Sequence, residues 1–315
     1  MNKIVAFFTT KLPLTAAALI IAGSVHAEEP GVDQSAAKVS FGVIADIHYG
    51  WLRTGGGSIE LGFVRDFLDD MHGHGVDFII ELGDLVKPPR SAPVLELWNT
   101  FDGPAYHVLG NHDNDNRHSF DDVARMRGMP ARYYTFDQGA LRGIVLDDNE
   151  PGVGIGGEQL EWLARQLAES DRPVIIFVHQ PPESSRNGAA VLEAIRASEA
   201  ERPGLVLAVM HGYHHRDYMK DIDGVPHIQI NSASYVWLGG PVRYAEPLWG
   251  RVEIDFENGT FQLHGRATTW HDKTPWELGA DEDDKPRDVT RPAISDRQFR
   301  LKPETVAIAR KVISE

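Results

Sequence analysis

The chain has 315 residues, 42% hydrophobic and 24% charged, an ordinary globular balance with material for one large or two small domains. It contains no cysteine, which excludes disulfides, thiolate metal ligands and lipid attachment at a processed N-terminal cysteine, so any bound metal must take oxygen and nitrogen donors. A formal charge of −15 repels long polyanions and argues against DNA or RNA as the main partner.

At the start, Lys3 and Lys11 flank an N-terminal region, residues 12–23 are mostly apolar, and Val25-His26-Ala27 fits a small-residue cleavage site. This pattern predicts a secretory signal peptide over residues 1–27 and a periplasmic or secreted mature chain. The apolar run is short for a membrane span of about 20 residues, and no later stretch is long enough to cross a bilayer. Removing the two lysines with the signal takes the formal charge from −15 to −17.

A polar linker, 28–38, leads to an apolar run over 39–45 that reads as a strand and ends in Asp46-Ile47-His48. Positions i and i+2 of a just-ending strand share a side, so both side chains can reach one ion. A glycine-rich loop, 49–57, precedes helical spacing over 59–71, and His72 and His74 read as end-of-helix cations or solvated residues. A second strand, 77–82, ends in Gly83-Asp84, and a short helix is expected over 91–100. The third strand, 106–109, runs into Gly110-Asn111-His112-Asp113, which brings together a neutral oxygen, a nitrogen that titrates near neutral pH and a carboxylate.

After a helix over 119–127, two strands, 133–136 and 141–146, join through Gln138-Gly139 as a hairpin and suggest a second sheet. The glycine-rich segment 151–157 matches neither the dinucleotide nor the P-loop spacing and reads as a plain loop before a helix over 158–169. The strand 174–178 ends in His179-Gln180-Pro181-Pro182, a helix follows over 189–200, and the strand 205–210 ends in His211-Gly212-Tyr213-His214-His215. Further strands are expected over 227–230, 235–238, 250–256 and 261–267, the last two joined through Asn258-Gly259. Residues 270–295 are polar, and the acidic run 281–284 predicts disorder or a loosely docked arm. A terminal helix is expected over 305–313.

Five apolar strands thus each deliver metal-capable side chains at a C-terminal end, the end at which ligands gather in open α/β sheets. In order and context these blocks resemble the calcineurin-like metallophosphoesterases, whose pattern reads Asp-x-His, Gly-Asp, Gly-Asn-His-Asp/Glu, His and Gly-His-x-His. Four of the five are intact, and the resemblance covers residues 39–270, leaving 271–315 as a polar C-terminal extension. It implies an α/β fold, a four-layer αββα sandwich of two mixed β-sheets flanked by helices. It also implies two transition-metal or divalent ions (Mn, Fe or Zn), with hydrolysis of a small phosphate mono- or diester by a metal-held hydroxide.

Carried over residue by residue, the resemblance makes Asp84 the bridge between two ions, with Asp46, His48 and His215 completing site one and Asn111 and His179 in site two. His112 takes no metal and is positioned to protonate the leaving group, with Asp113 holding its ring. The fifth block departs from the pattern. Tyr213 replaces a site-two histidine, and His211 and His214 are the neighbours expected to compensate. That departure keeps two other readings open: a catalytically impaired member that binds a phosphorylated ligand without turnover, and a single-metal hydrolase of a non-phosphate ester.

Overall fold

Successive side chains along the apolar runs alternate between two buried faces, with the period of two that a strand imposes. In the computed structural model the side chains of Val39, Phe41 and Val43 enter one core and that of Ile44 another, while Phe78 and Ile80 face away from Ile79. Residues 37–51, 57–86, 91–114, 117–235, 243–278 and 292–314 are described, all within the unit Asp33–Glu315.

The first half of the chain runs β1 (Lys38–Ile44), α1 (Ser58–His74), β2 (Phe78–Glu81), α2 (Ala92–Trp98), β3 (Ala105–His107) and α3 (Phe120–Met126). It continues through β4 (Tyr134–Gln138), β5 (Leu141–Val145), α4 (Gly157–Glu169), β6 (Val174–Val178), α5 (Gly188–Glu201) and β7 (Val206–His211). The remainder comprises β8 (Tyr218–Ile222), β9 (Val225–Gln229), β10 (Gly250–Asp255), β11 (Thr260–His264), β12 (Arg266–Ala267), a 3₁₀ turn (Trp276–Leu278), β13 (Ala293–Ile294), β14 (Arg297–Arg300) and α6 (Pro303–Ile313).

One sheet has the order β14-β11-β10-β1-β2-β3 and the other β4-β5-β6-β7-β9-β8. Each is mixed: β1, β2 and β3 are parallel with β10 antiparallel to β1, and β5, β6, β7 and β9 are parallel between antiparallel edges. Between the sheets lies an aromatic core in which Phe41 stacks on Phe78 at 4.7 Å and meets Phe177 edge-on at 5.9 Å. Val64, Phe67, Met71 and Trp98 of α1 and α2 cover the outer face of the first sheet. Leu163, Leu167, Val191 and Ile195 of α4 and α5 cover that of the second. The result is the expected αββα sandwich. Gly42 lets α1 sit close, since a Cβ there would meet the Met71 sulfur at 2.3 Å.

Three features differ from expectation. β8 carries no strand signal in the sequence, because its central residues are solvated and show no apolar alternation. The expected run 261–267 is two strands, β11 and β12, and β12 pairs with β13. Residue 270 marks no break in the packing: β14 extends the first sheet by pairing with β11, and Leu301 and Ala309 join the core between the sheets. The expected strand over 235–238 falls almost wholly outside the described residues, as do the acidic run 281–284 and the signal segment 1–27.

Candidate metal centre

β1, β2, β3, β6 and β7 end toward one crevice, and the chain leaves them in unusual backbone conformations. Asp46, His48, Asp84, Tyr213 and His215 all have positive φ, between 51° and 80°, a region costly for residues with a Cβ and concentrated at functional sites. This corrects the pleat argument for Asp46 and His48. β1 has ended before them, and two left-handed residues bring their side chains together. Backbone bonds from Asp46 N to Gly83 O (3.0 Å) and from His48 N to Asp84 O (2.8 Å) lock this loop to the exit of β2. The Ser232 hydroxyl donates to Asp46 O at 2.8 Å and that of Ser234 to Ile47 O at 3.0 Å.

The donor atoms converge in two groups, Asp46–His48–His215 and Asp46–Asp84–His179, within each of which they lie no more than 4.8 Å apart. His48 Nε2 and His215 Nε2 are 3.2 Å apart, and His215 Nε2 is 3.3 Å from Asp46 Oδ1. A tetrahedron with bonds of about 2.0–2.1 Å has edges of roughly 3.4 Å, so these separations suit donors around one ion. Asp46 Oδ1 is buried without a hydrogen-bond partner, as a carboxylate oxygen reserved for a cation would be.

Asp84 Oδ2 stands 3.8 Å from His48 Nε2 and 3.4 Å from His179 Nε2, within reach of both groups, while its Oδ1 accepts the His112 backbone N–H at 2.7 Å. The ring of His179 is oriented by Nδ1, which donates to Leu82 O at 2.8 Å, and its Nε2 lies 3.1 Å from Asn111 Oδ1. Glycine makes this approach possible. A Cβ on Gly110 would meet Asp84 N and Oδ1 at 2.2 Å.

Electrostatics agree with a cation-seeking pocket. Burial lowers the His48 pKa to about 3 against the pull of Asp84, so its imidazole is neutral and free to donate a lone pair. Burial pushes the Asp84 carboxyl up, but His179, His48 and His112 outweigh it and hold it well below the carboxylate range. His179 is held well above its ordinary value despite burial, because Asp84, Asp46 and Asp148 surround it. The residues therefore fit a pair of ions, Asp46, His48, His215 and Asp84 for one and Asn111, His179 and the carboxylates for the other.

The His112 ring lies at the edge of this group, 5.7 Å from the His48 ring and 4.9 Å from that of Trp51. Asp113 does not hold it, contrary to expectation. Its carboxylate accepts from the backbone N–H groups of Asp84 (3.1 Å), Val86 (3.1 Å) and Gly110 (2.8 Å) and pairs with buried Arg127. It braces the loops after β2 and β3, and burial raises its pKa to about 6 against the opposing Arg127 charge. Arg127 also reaches Glu81 at 2.9 Å. No sequence signal marked Arg127, which follows α3 in an ordinary surface-helix pattern.

His211 and His214 do not compensate for Tyr213. His211 points to Gln229, with Nδ1 2.9 Å from Oε1, and His214 Nδ1 lies 3.2 Å from the Tyr218 hydroxyl. Tyr213 gives its backbone N–H to Asp46 Oδ2 at 3.0 Å, and its ring meets that of His179 edge-on at 5.5 Å. It is 38% exposed, at the mouth of the centre. His72 and His74 lie elsewhere, the first accepting from Asp102 N at 3.2 Å and the second 3.6 Å from Asp70. Asp148 escaped notice in the sequence, but it holds Gln180 N at 2.6 Å beside His179.

The family model for calcineurin-like phosphoesterases matches residues 39–216, more than half of the chain. The chain belongs to the calcineurin-like phosphoesterases. Over 112 residues it is 32% identical to a "probable cyclic nucleotide phosphodiesterase" of Synechococcus sp., a match spanning 34% of this chain and 43% of that protein. Its fold is similar to that of a dimetal phosphatase from Danio rerio, with TM-score 0.58, 17% identity and coverage of 84% of this chain and 99% of the other. It is also similar to GAP50, described as the anchor in the inner membrane complex of Plasmodium, with TM-score 0.54, 15% identity and coverage of 88% and 95%. Among the described residues no helix is long and apolar enough to cross a membrane.

Proposed function

We propose that this phosphoesterase hydrolyses a small phosphodiester, and that it does so after export. The observation that carries the reading is the convergence of Asp46, His48, Asp84, Asn111, His179 and His215 on one crevice with the His112 ring beside it. The choice of a diester draws on the name of the Synechococcus relative, and the choice of a small substrate on the formal charge of −15.

Metal ions held there supply positive charge against the phosphoryl oxygens and activate water. The protein's own work is placement. Asp46, Asp84 and the three histidines His48, His179 and His215 fix where that charge stands, and Asn111 adds a neutral oxygen. Water gives up one proton to solvent as it attacks phosphorus in line with the leaving group, the bond from phosphorus to the leaving alkoxide breaks, and protonated His112 gives its proton to that oxygen and regains one from solvent. The Trp51 ring packs beside His112 and limits the directions in which it can swing.

The test uses purified protein with Mn²⁺, Fe or Zn²⁺ against an aryl phosphodiester, an aryl phosphomonoester, a cyclic nucleotide and an aryl carboxylate ester. Turnover of the diesters at higher kcat/KM than the monoester, abolished by a chelator and restored by metal, is expected. Faster monoester turnover overturns the diester choice, and full turnover in metal-free protein overturns the reading altogether. The exposed Tyr213 favours one competing reading, an impaired member that binds a phosphorylated ligand; binding of the cyclic nucleotide without turnover would establish it. For export, mass spectrometry of protein from an exporting host should show a chain beginning at Glu28, and an intact Met1 on the mature protein contradicts it.

A further inference from the structure

A third group of donors lies outside the centre described above. Glu183, His211 and His227 bring ligand atoms within 4.8 Å of one another, and none of the three belongs to the two groups around Asp46. His211 ends β7 opposite Gln229 of β9, and His227 stands two residues before Gln229. His211, His227 and Gln229 therefore share one face of the second sheet. It is the face under α5, where Val209 and Val225 pack, and it is opposite to Met210 and Ile228 in the core between the sheets. Glu183 comes down onto it from the segment between β6 and α5.

We propose that these three side chains form a separate mononuclear site for a divalent ion of the zinc class. Both histidines are almost fully buried, yet His211 Nε2, both ring nitrogens of His227, and Glu183 Oε2 have no hydrogen-bond partner. Buried polar atoms are nearly always satisfied, so four orphans in one place mark a ligand. The tautomer of His211 follows from its neighbour. Gln229 donates through Nε2 to Ile230 O at 3.0 Å, which makes its Oε1 the acceptor for His211 Nδ1–H at 2.9 Å. Nε2 of His211 is left with a lone pair turned into the group, the arrangement in which a hydrogen-bonded histidine ligates metal.

The three residues do not satisfy one another. His227 Nδ1 is 3.6 Å from Glu183 Oε2, beyond hydrogen-bond length. Lys220 takes only the other oxygen, Oε1, at 3.1 Å. Two imidazoles and one carboxylate with no thiolate select zinc and its neighbours over calcium or magnesium, which prefer all-oxygen shells. Water completes a tetrahedral shell. The ion would pin the end of β7, directly before the loop that carries Tyr213 and His215, and so stabilise the platform of the neighbouring centre without taking part in it.

The test starts from the full chain carrying Asp46→Asn and Asp84→Asn, which disables the dinuclear centre. Titration with Zn²⁺ against a chromophoric chelator should still show one equivalent bound, and Co²⁺ should give the visible absorption of a tetrahedral ion. Adding His227→Gln, or separately Glu183→Gln, should weaken that equivalent by about 100-fold or more. Absence of the equivalent in the parent variant, or its survival unchanged in both further variants, overturns the proposal. Should those variants fold poorly by circular dichroism, wild-type crystals grown in excess Zn²⁺ decide the matter. An anomalous peak among Glu183, His211 and His227 supports the site, and none there overturns it.

Discussion

The Nε2 atoms of His48 and His215 stand 3.2 Å apart although 167 residues separate them in the chain. The two ring nitrogens are within hydrogen-bonding distance, and burial keeps His48 neutral, with a pKa of about 3. The contact is imposed by the backbone, since both residues are held at positive φ. That strain is offset by the loop bonds to Gly83 and Asp84 and by the two serines under Asp46 and Ile47, and residues held this way concentrate at functional sites.

Asp84 reaches both groups, so Asp84→Asn should cost metal and turnover together. The amide can still accept the His112 N–H, which keeps the loop in place while removing the charge. Metal affinity should fall by roughly 100-fold or more, with kcat following metal occupancy; metal analysis beside steady-state rates checks this. Normal metal content with lost activity would remove Asp84 from the ligand set.

His112→Ala should behave in the opposite way. No ligand is lost, so metal content should stay near wild type while kcat drops on the order of 10²- to 10⁴-fold, the usual contribution of a general acid. The defect should shrink for aryl esters, whose leaving groups need little protonation. An equal loss for alkyl and aryl esters would count against proton donation.

Arg127 is the buried counter-charge for Glu81 and Asp113. Arg127→Met leaves two carboxylates in the interior without it, and loss of one partner of a buried pair typically costs about 3–5 kcal/mol. Denaturant unfolding should show that loss. A change below about 1 kcal/mol would mean that the loops after β2 and β3 do not depend on this bracket.

The centre was legible because its ligands follow apolar runs whose length and composition mark buried strands, and strand ends in an α/β sandwich face one crevice. Backbone geometry was not legible. Asp46 and His48 look like alternating strand positions, and only the structure shows two left-handed residues. His211 misled for a related reason. Adjacent residues at a strand end point to opposite faces, and His211 lies on the face under α5 with Val209, not on the face of Met210. β14 carries little signal in the sequence, because Arg297, Gln298 and Arg300 leave only Phe299 to mark an edge strand. Asp113 shows the limit of motif transfer, since its place beside His112 in sequence says nothing of three backbone N–H groups converging on its carboxylate.

Asp148 offers a pH test in protein stripped of metal. Burial raises its carboxyl to about 7, with His179 and the Gln180 N–H only partly opposing this. A carboxyl whose folded pKa lies above its unfolded value near 3.9 stabilises the fold below that value and loses the contribution as pH rises to about 7. Asp148→Asn removes the charge, so its advantage over wild type should be near zero at pH 4, grow by about 1.4 kcal/mol per unit, and level off above pH 7. Unfolding free energies of both proteins between pH 4 and 8 check it; an advantage that shrinks with rising pH reverses the assignment.

Tyr213 occupies the position where the family pattern has a site-two histidine, and the structure gives it a double role. Its backbone N–H holds Asp46 Oδ2, which any residue there can do, while its ring stands edge-on to His179 at the exposed mouth. Because His211 and His214 are turned to Gln229 and Tyr218, no other histidine of this loop replaces the missing imidazole. Site two then rests on Asn111, whose amide oxygen is a weak donor, on His179 and on shared carboxylates, and it should bind its ion more weakly than site one. Activity should keep rising with Mn²⁺ well above one equivalent. Tyr213→His should raise occupancy at low free Mn²⁺ toward that of a complete pair, and Tyr213→Phe should leave occupancy unchanged while raising KM, the result expected of a hydroxyl that donates to a bound phosphate. Metal content against free Mn²⁺ for the three proteins, with the visible spectrum of an Fe³⁺-loaded sample, separates the cases. A tyrosinate charge-transfer band that vanishes in Tyr213→Phe, together with one ion, would show the phenolate to be a ligand, because only a deprotonated oxygen bound to the metal gives that absorption.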